Sequence, residues 1–94
     1  ALTRTGLAGN FPNPFTGETR IRVNLAQTED VVLEIYSLQG SLVRSWKFTG
    51  LTAGGHLVTW DGRDGSGDEL PQGVYTCRMK TTDYQGSLKL VLIH

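Results

Sequence analysis

Between Thr19 and Leu25 the chain alternates strictly, with Ile21, Val23 and Leu25 set against Arg20, Arg22 and Asn24. That period of two is the mark of a half-buried strand and does not fit an amphipathic helix. The same beat returns in Val31, Leu33 and Ile35 with Glu34 opposite, and in Tyr75, Cys77 and Met79 against Val74, Thr76, Arg78 and Lys80. It returns once more in the last run, where Leu88, Leu90 and Leu92 face inward and Ser87, Lys89, Val91 and Ile93 outward. His56, Val58 and Trp60 form a further set. In Leu42 to Phe48, Leu42, Trp46 and Phe48 share their face with Arg44, which suits an edge strand. A short strand is expected near Leu7 to Phe11. The result is about seven strands with turn signals every 8–12 residues and no helical period. The expected fold is all-β, an immunoglobulin-like β-sandwich of about seven antiparallel strands. A closed barrel needs a more regular inward set than these short strands offer.

The 94 residues support one domain, placed at residues 7–94 with residues 1–6 as a linker remnant. Nine basic and nine acidic side chains are scattered along the chain, so no phosphate backbone is drawn to it in bulk and nucleic acid is not expected as a partner. Cys77, the single cysteine, has no partner for an intrachain disulfide. The sheets must therefore hold by apolar packing, with Trp60 and Tyr75 as the large core pieces. Leu90 to Ile93 is the longest apolar run, far short of the roughly 20 residues that a membrane-spanning helix requires. The chain has no initiator Met and no charged-then-apolar leader, and is expected to be a piece of a longer polypeptide.

Ahead of the first clear strand stands Asn10-Phe11-Pro12-Asn13-Pro14-Phe15. Proline donates no backbone hydrogen bond and drives the preceding residue toward extended geometry, so this is a stiff, kinked lead-in. Its expected work is to keep a sheet edge from recruiting a wrong strand and to set the angle of the incoming linker.

No catalytic constellation stands out. His56 shares a face with Val58 and Trp60 and reads as a packed sheet residue, while His94 is terminal and expected to be free. Cys77 lies between Tyr75 and Met79, the place of a small buried hydrophobe. The densest polar stretch runs from Asp61 to Glu69, but its spacing fails the EF-hand template. Turn chemistry explains it better: aspartates cap local backbone donors and glycines take positive φ. Neither a metal nor a cofactor is expected. A sugar-binding face would show several exposed aromatics in a row, whereas Trp46, Trp60, Tyr36, Tyr75 and Tyr84 fall inward or stand alone.

Taken in order, "FPNPF…TRIRVNL", "VVLEIYSLQGSLVRSW", "LTAGGHLVTWDGRDGSGDELPQGVYTCRM" and "GSLKLVLIH" resemble the type A C-terminal sorting domain of bacterial type IX secretion, from about Asn10 to His94. The immunoglobulin-like domain of the flagellar hook-capping protein is similar in its "WDG…G…GVY" segment and shares the fold. The resemblance places the family's marked positions on Pro12, Asn13, Pro14, Gly40, Gly54, Trp60, Asp61, Gly62, Gly67, Gly73, Val74 and Tyr75. It also marks Gly86, Lys89 and the aliphatics Leu90 to Ile93, and differs where many members end in Lys and this chain has His94.

The resemblance implies a non-enzymatic address. A cargo domain would precede the module in the same chain, pass through the periplasm, and reach the cell surface or the medium by way of the outer-membrane secretion machinery. A sortase-like processing protease would then commonly remove the module. Lys89, Val91 and Ile93, with Gly86, are the expected recognition strip on an open edge, read by β-augmentation. The same open edge is expected to permit homodimers by strand pairing.

Overall fold

The computed structural model describes residues 4–94. Seven strands, β1 (Gly6–Phe11), β2 (Thr19–Leu25), β3 (Glu29–Tyr36), β4 (Leu42–Leu51), β5 (Gly54–Trp60), β6 (Gly73–Lys80) and β7 (Gln85–Leu92), pair antiparallel in two sheets. One sheet has the order β1-β2-β5 and the other β4-β3-β6-β7. This is the immunoglobulin-like sandwich expected from the alternation. Strand β1 begins at Gly6, and Thr5 already accepts a hydrogen bond from Ala26 N at 3.0 Å, so folded structure reaches into the segment expected as linker. Residues 1–3 lie outside the described part.

The inward sets meet face to face. Ile21, Val23, Leu25, Val58 and Trp60 come from the three-stranded sheet, and Val31, Leu33, Ile35, Tyr75, Cys77, Met79, Leu90 and Leu92 from the four-stranded one. All are buried; Leu88, expected inward with them, is half-buried at the sheet margin. Trp60 is the centre of an aromatic row, 5.5 Å from the Phe15 ring and 5.6 Å from Tyr75 between centroids. Its indole N–H donates to Arg63 O at 3.0 Å and the Tyr75 hydroxyl to Pro71 O at 2.6 Å, so neither large side chain strands a polar atom.

Strand β4 is an edge, as expected, and the structure explains its mixed inward face. Arg44 reaches across the sandwich margin to Asp61 Oδ1 and Arg63 O, both at 3.2 Å, and its guanidinium lies 4.9 Å from the centroid of Trp46. The cation is thus partnered while its stem covers apolar surface.

Candidate functional site

The separated sequence motifs converge on the terminal strand. Asn13 lies beside β7, and its side-chain amide imitates a peptide group: Nδ2 donates to Lys89 O at 3.2 Å and Oδ1 accepts from Val91 N at 2.9 Å. Two residues on, Phe15 N donates to Val91 O and Phe15 O accepts from Ile93 N, both at 2.9 Å. Phe15 also turns its ring into the core against Trp60. The lead-in is held from behind by Thr19, a buried residue whose hydroxyl donates to Pro12 O at 2.8 Å and accepts from Asn10 Nδ2 at 3.1 Å.

The third motif closes the knot. Gly62 follows Trp60 and Asp61, is buried, and has φ 73°, a left-handed geometry that glycine takes without strain. A Cβ there would stand 3.3 Å from Leu92 Cδ1 and 3.8 Å from the Phe15 ring. "PNPF", "WDG", "GVY" and the final aliphatics are therefore pieces of one junction around Leu92. Val74 lies opposite Val91 on the outer face. Gly73 pairs in register with Leu92 itself, while Gly40, Gly54 and Gly67 lie elsewhere, at positive φ where the chain turns or enters a strand.

This junction corrects one expectation. From Lys89 O to Ile93 N the free side of β7 is already hydrogen-bonded by Asn13 and Phe15, so it offers no open ladder for β-augmentation or strand pairing. The edge is guarded by Asn13 and Phe15 instead of by the prolines themselves, and it belongs to the last strand. What β7 still presents is side chains: Lys89 exposed, Val91 half-buried and Ile93 44% exposed. His94, expected free, is tethered, with its ring Nε2 2.9 Å from Leu70 O.

Gly86 stands at the other end of β7 and has a packing reason to be glycine. The Tyr84 ring lies over it, and the Tyr84 hydroxyl accepts from Leu7 N at 3.3 Å, tying β7 to β1. Phe15, Thr19 and Tyr84 escaped the sequence reading. An aromatic two residues before a strand glycine was the available sign for the last of them.

The remaining candidates take structural roles. His56 is half-buried with Nε2 2.7 Å from Thr52 O. In the Asp61 to Glu69 loop, Asp61 Oδ1 accepts from Arg63 N, and Asp64 Oδ1 accepts from Ser66 N at 2.9 Å and Asp68 N at 3.0 Å. The Arg63 guanidinium donates to Gly67 O at 2.9 Å. With those oxygens committed to backbone donors, calcium titration is expected to leave Tm flat. A rise of several degrees at sub-millimolar calcium would reveal a linked site.

Cys77 is buried in the core, and burial pushes its thiol from the ordinary 9.0 up to about 12. A group raised by folding contributes its full stability below the unfolded value and loses it as pH climbs toward the folded one. Stability is therefore expected to fall between about pH 9 and 12. Tyr75, raised by burial as well, acts in the same direction. Urea melts at two pH values spanning the lower half of that window should show a smaller alkaline loss in Cys77→Ala than in the parent chain. An equal loss in both would remove the thiol from the account.

Among solved structures, dimeric latent PorU from Porphyromonas gingivalis is similar over 99% of this chain and 10% of its own, with TM-score 0.72 and 22% identity. PorZ, an essential surface component of the type IX secretion system of the same organism, is similar over 95% and 12%, with TM-score 0.62 and 20% identity. FlgD from P. aeruginosa is similar over 79% of this chain and 57% of its own, with TM-score 0.63 and 25% identity. FlgD from Xanthomonas campestris, described in connection with hook capping, covers 96% and 64% at TM-score 0.63 and 23% identity. The chain thus spans 64% or less of each of these proteins. No curated protein sequence matches it. The sequence model of the FlgD Ig-like domain matches residues 9–85, most of the sandwich, and the chain belongs to that family.

Proposed function

We propose that this module is a non-enzymatic sorting signal for type IX secretion. It would follow a cargo domain in the same chain, be read in the periplasm by the outer-membrane machinery, and be removed by a sortase-like protease once the cargo reaches the surface or the medium. The observation that supports this best is the junction around Leu92, where the motif residues serve to present one strand instead of lining a cleft. With its main-chain edge occupied, β7 is read through the side chains of Lys89, Val91 and Ile93. The likeness in fold to PorU and PorZ agrees with this reading.

A second reading, an accessory domain of a hook-capping protein, is favoured by the family match over residues 9–85. Export separates the two. Fused behind a periplasmic reporter in a type IX-secreting bacterium, the chain should carry the reporter to the surface, and only when the secretion machine is intact. The triple variant Lys89→Ala, Val91→Ser, Ile93→Ser spares the core leucines and should leave the reporter in the periplasm while the purified module still melts cooperatively. A fusion that never leaves the periplasm, together with restored hook assembly when the module replaces the corresponding domain of a hook-capping protein, would support the second reading and reject the first. A folded triple variant exported at the normal rate would remove the strip from the signal.

A further inference from the structure

The outer face of the three-stranded sheet plays no part in the junction around Leu92. Phe11 pairs in register with Arg20, and Arg20 with Thr59; one step along, Gly9 pairs with Arg22, and Arg22 with Leu57. Phe11 is 78% and Leu57 59% exposed, two of the five large hydrophobic side chains that the described residues leave open to water. Together with Ala8, Gly9 and Asn10 they and the two arginines line a shallow cleft of about 280 Å³. No carboxylate lines it, and among the described residues neither arginine makes an ion pair. The chain carries equal numbers of acids and bases, yet among the described residues the only charges lining this cleft are the two arginines, set among apolar residues and the neutral Asn10.

We propose that this face docks an extended, acidic segment of a partner protein, one carrying carboxylates at alternate residues with apolar side chains between them. The proposal is independent of which reading of function holds. Arg20 and Arg22 sit two residues apart on one side of β2, about 7 Å by strand geometry, and alternate carboxylates of an extended peptide repeat at the same interval. Guanidinium forks suit carboxylates, and each pair gains where neighbouring apolar atoms exclude water. Phe11 and Leu57 flank the arginines on the two adjoining strands and supply that apolar rim. They also favour a peptide over a hydrophilic polyanion, which would leave both side chains in water. A cleft of this size sits at the lower limit of small-ligand pockets, which suits one or two anchoring side chains.

The probe is a fluorescein-labelled peptide of alternating glutamate and leucine, titrated with the whole chain and followed by fluorescence anisotropy. Saturable binding that weakens with added salt is expected. Arg20→Glu with Arg22→Glu should weaken it at least tenfold and Leu57→Ser several-fold, while Lys47→Glu on the other sheet leaves it unchanged. All these side chains are exposed, and unchanged thermal melts of the variants establish that the fold is kept. Replacing the peptide's glutamates by glutamine, or its leucines by serine, should each abolish most of the binding. Full binding by the glutamate–serine peptide, or tighter binding of a sulfated polysaccharide, would overturn the proposal in favour of a general anion site. Absence of saturable binding, or binding indifferent to the arginine reversals, would overturn it outright.

Discussion

Phe15→Ala is expected to cost the module about 3–5 kcal/mol, the usual loss when a buried aromatic is cut back to a methyl group. Phe15 is 1% exposed, and its ring packs against Trp60 and beside Gly62, so its removal opens a cavity where three chain segments meet. Domains of this kind have only about 5–15 kcal/mol in all, and a loss of this size is visible directly in urea midpoints. Asn13→Ala, which removes two hydrogen bonds at the rim and no packing, should cost only about 1–2 kcal/mol. The comparison separates packing from edge pairing. Where the lead-in comes loose, Val91 and Ile93 regain free main-chain groups, and an unpaired edge recruits strands. Concentration-dependent dimers in sedimentation are therefore expected of Phe15→Ala and not of the parent chain. A Phe15→Ala midpoint close to the parent's, with a monomer at every concentration, would show that the lead-in holds nothing in place.

The strands with one solvent-facing side were legible because burial imprints a period of two: Ile21, Val23 and Leu25, or Tyr75, Cys77 and Met79, need no partner to be recognised. Arg44 blurred β4, since its inward position depends on Asp61 and Arg63, 17 and 19 residues further on. The lead-in was legible as an edge guard, but the guarded strand is 76 residues away from Asn13, and local chemistry carries no address for it. The charges show the same limit. Along the chain they are scattered, yet in the fold Arg20 and Arg22 come to share a sheet face without an acid while Asp61, Asp64, Asp68 and Glu69 crowd one loop. Aspartate is drawn to turns by its backbone hydrogen bonds, whereas long basic side chains are tolerated on strands. The sorting is therefore physical, and both halves of it stand in the sequence; what only the fold adds is that Phe11 and Leu57 come to flank the two arginines with no acid beside them.

Gly86→Ala is expected to destabilise the module by about 2–3 kcal/mol, the cost of forcing a side chain into space already filled. The backbone there is not in the left-handed region, so alanine meets no conformational penalty and the whole effect is steric. The new Cβ would meet the Tyr84 ring, with Cζ only 2.6 Å away. The ring cannot swing aside freely: its other neighbour is Gly6 of β1, and its hydroxyl is the acceptor for Leu7 N. Relief requires Tyr84 to leave and β1 to lose its tie to β7. The sign should therefore reverse when the ring is absent. In a Tyr84→Ala background, Gly86→Ala should be neutral or slightly stabilising, because alanine loses less backbone freedom than glycine in a strand. A double-mutant cycle in urea measures this coupling, and equal costs with and without the ring would refute the packing account. If the module is the sorting signal proposed above, the cycle also decides how Gly86 bears on export. If a reporter fused to Gly86→Ala stays in the periplasm and the double variant restores its passage, Gly86 acts by letting Tyr84 lie flat across the sheets. If both variants fold and both fail to export, the secretion machine reads the bare backbone at Gly86 itself, and the recognition strip extends from Ile93 down the full length of β7.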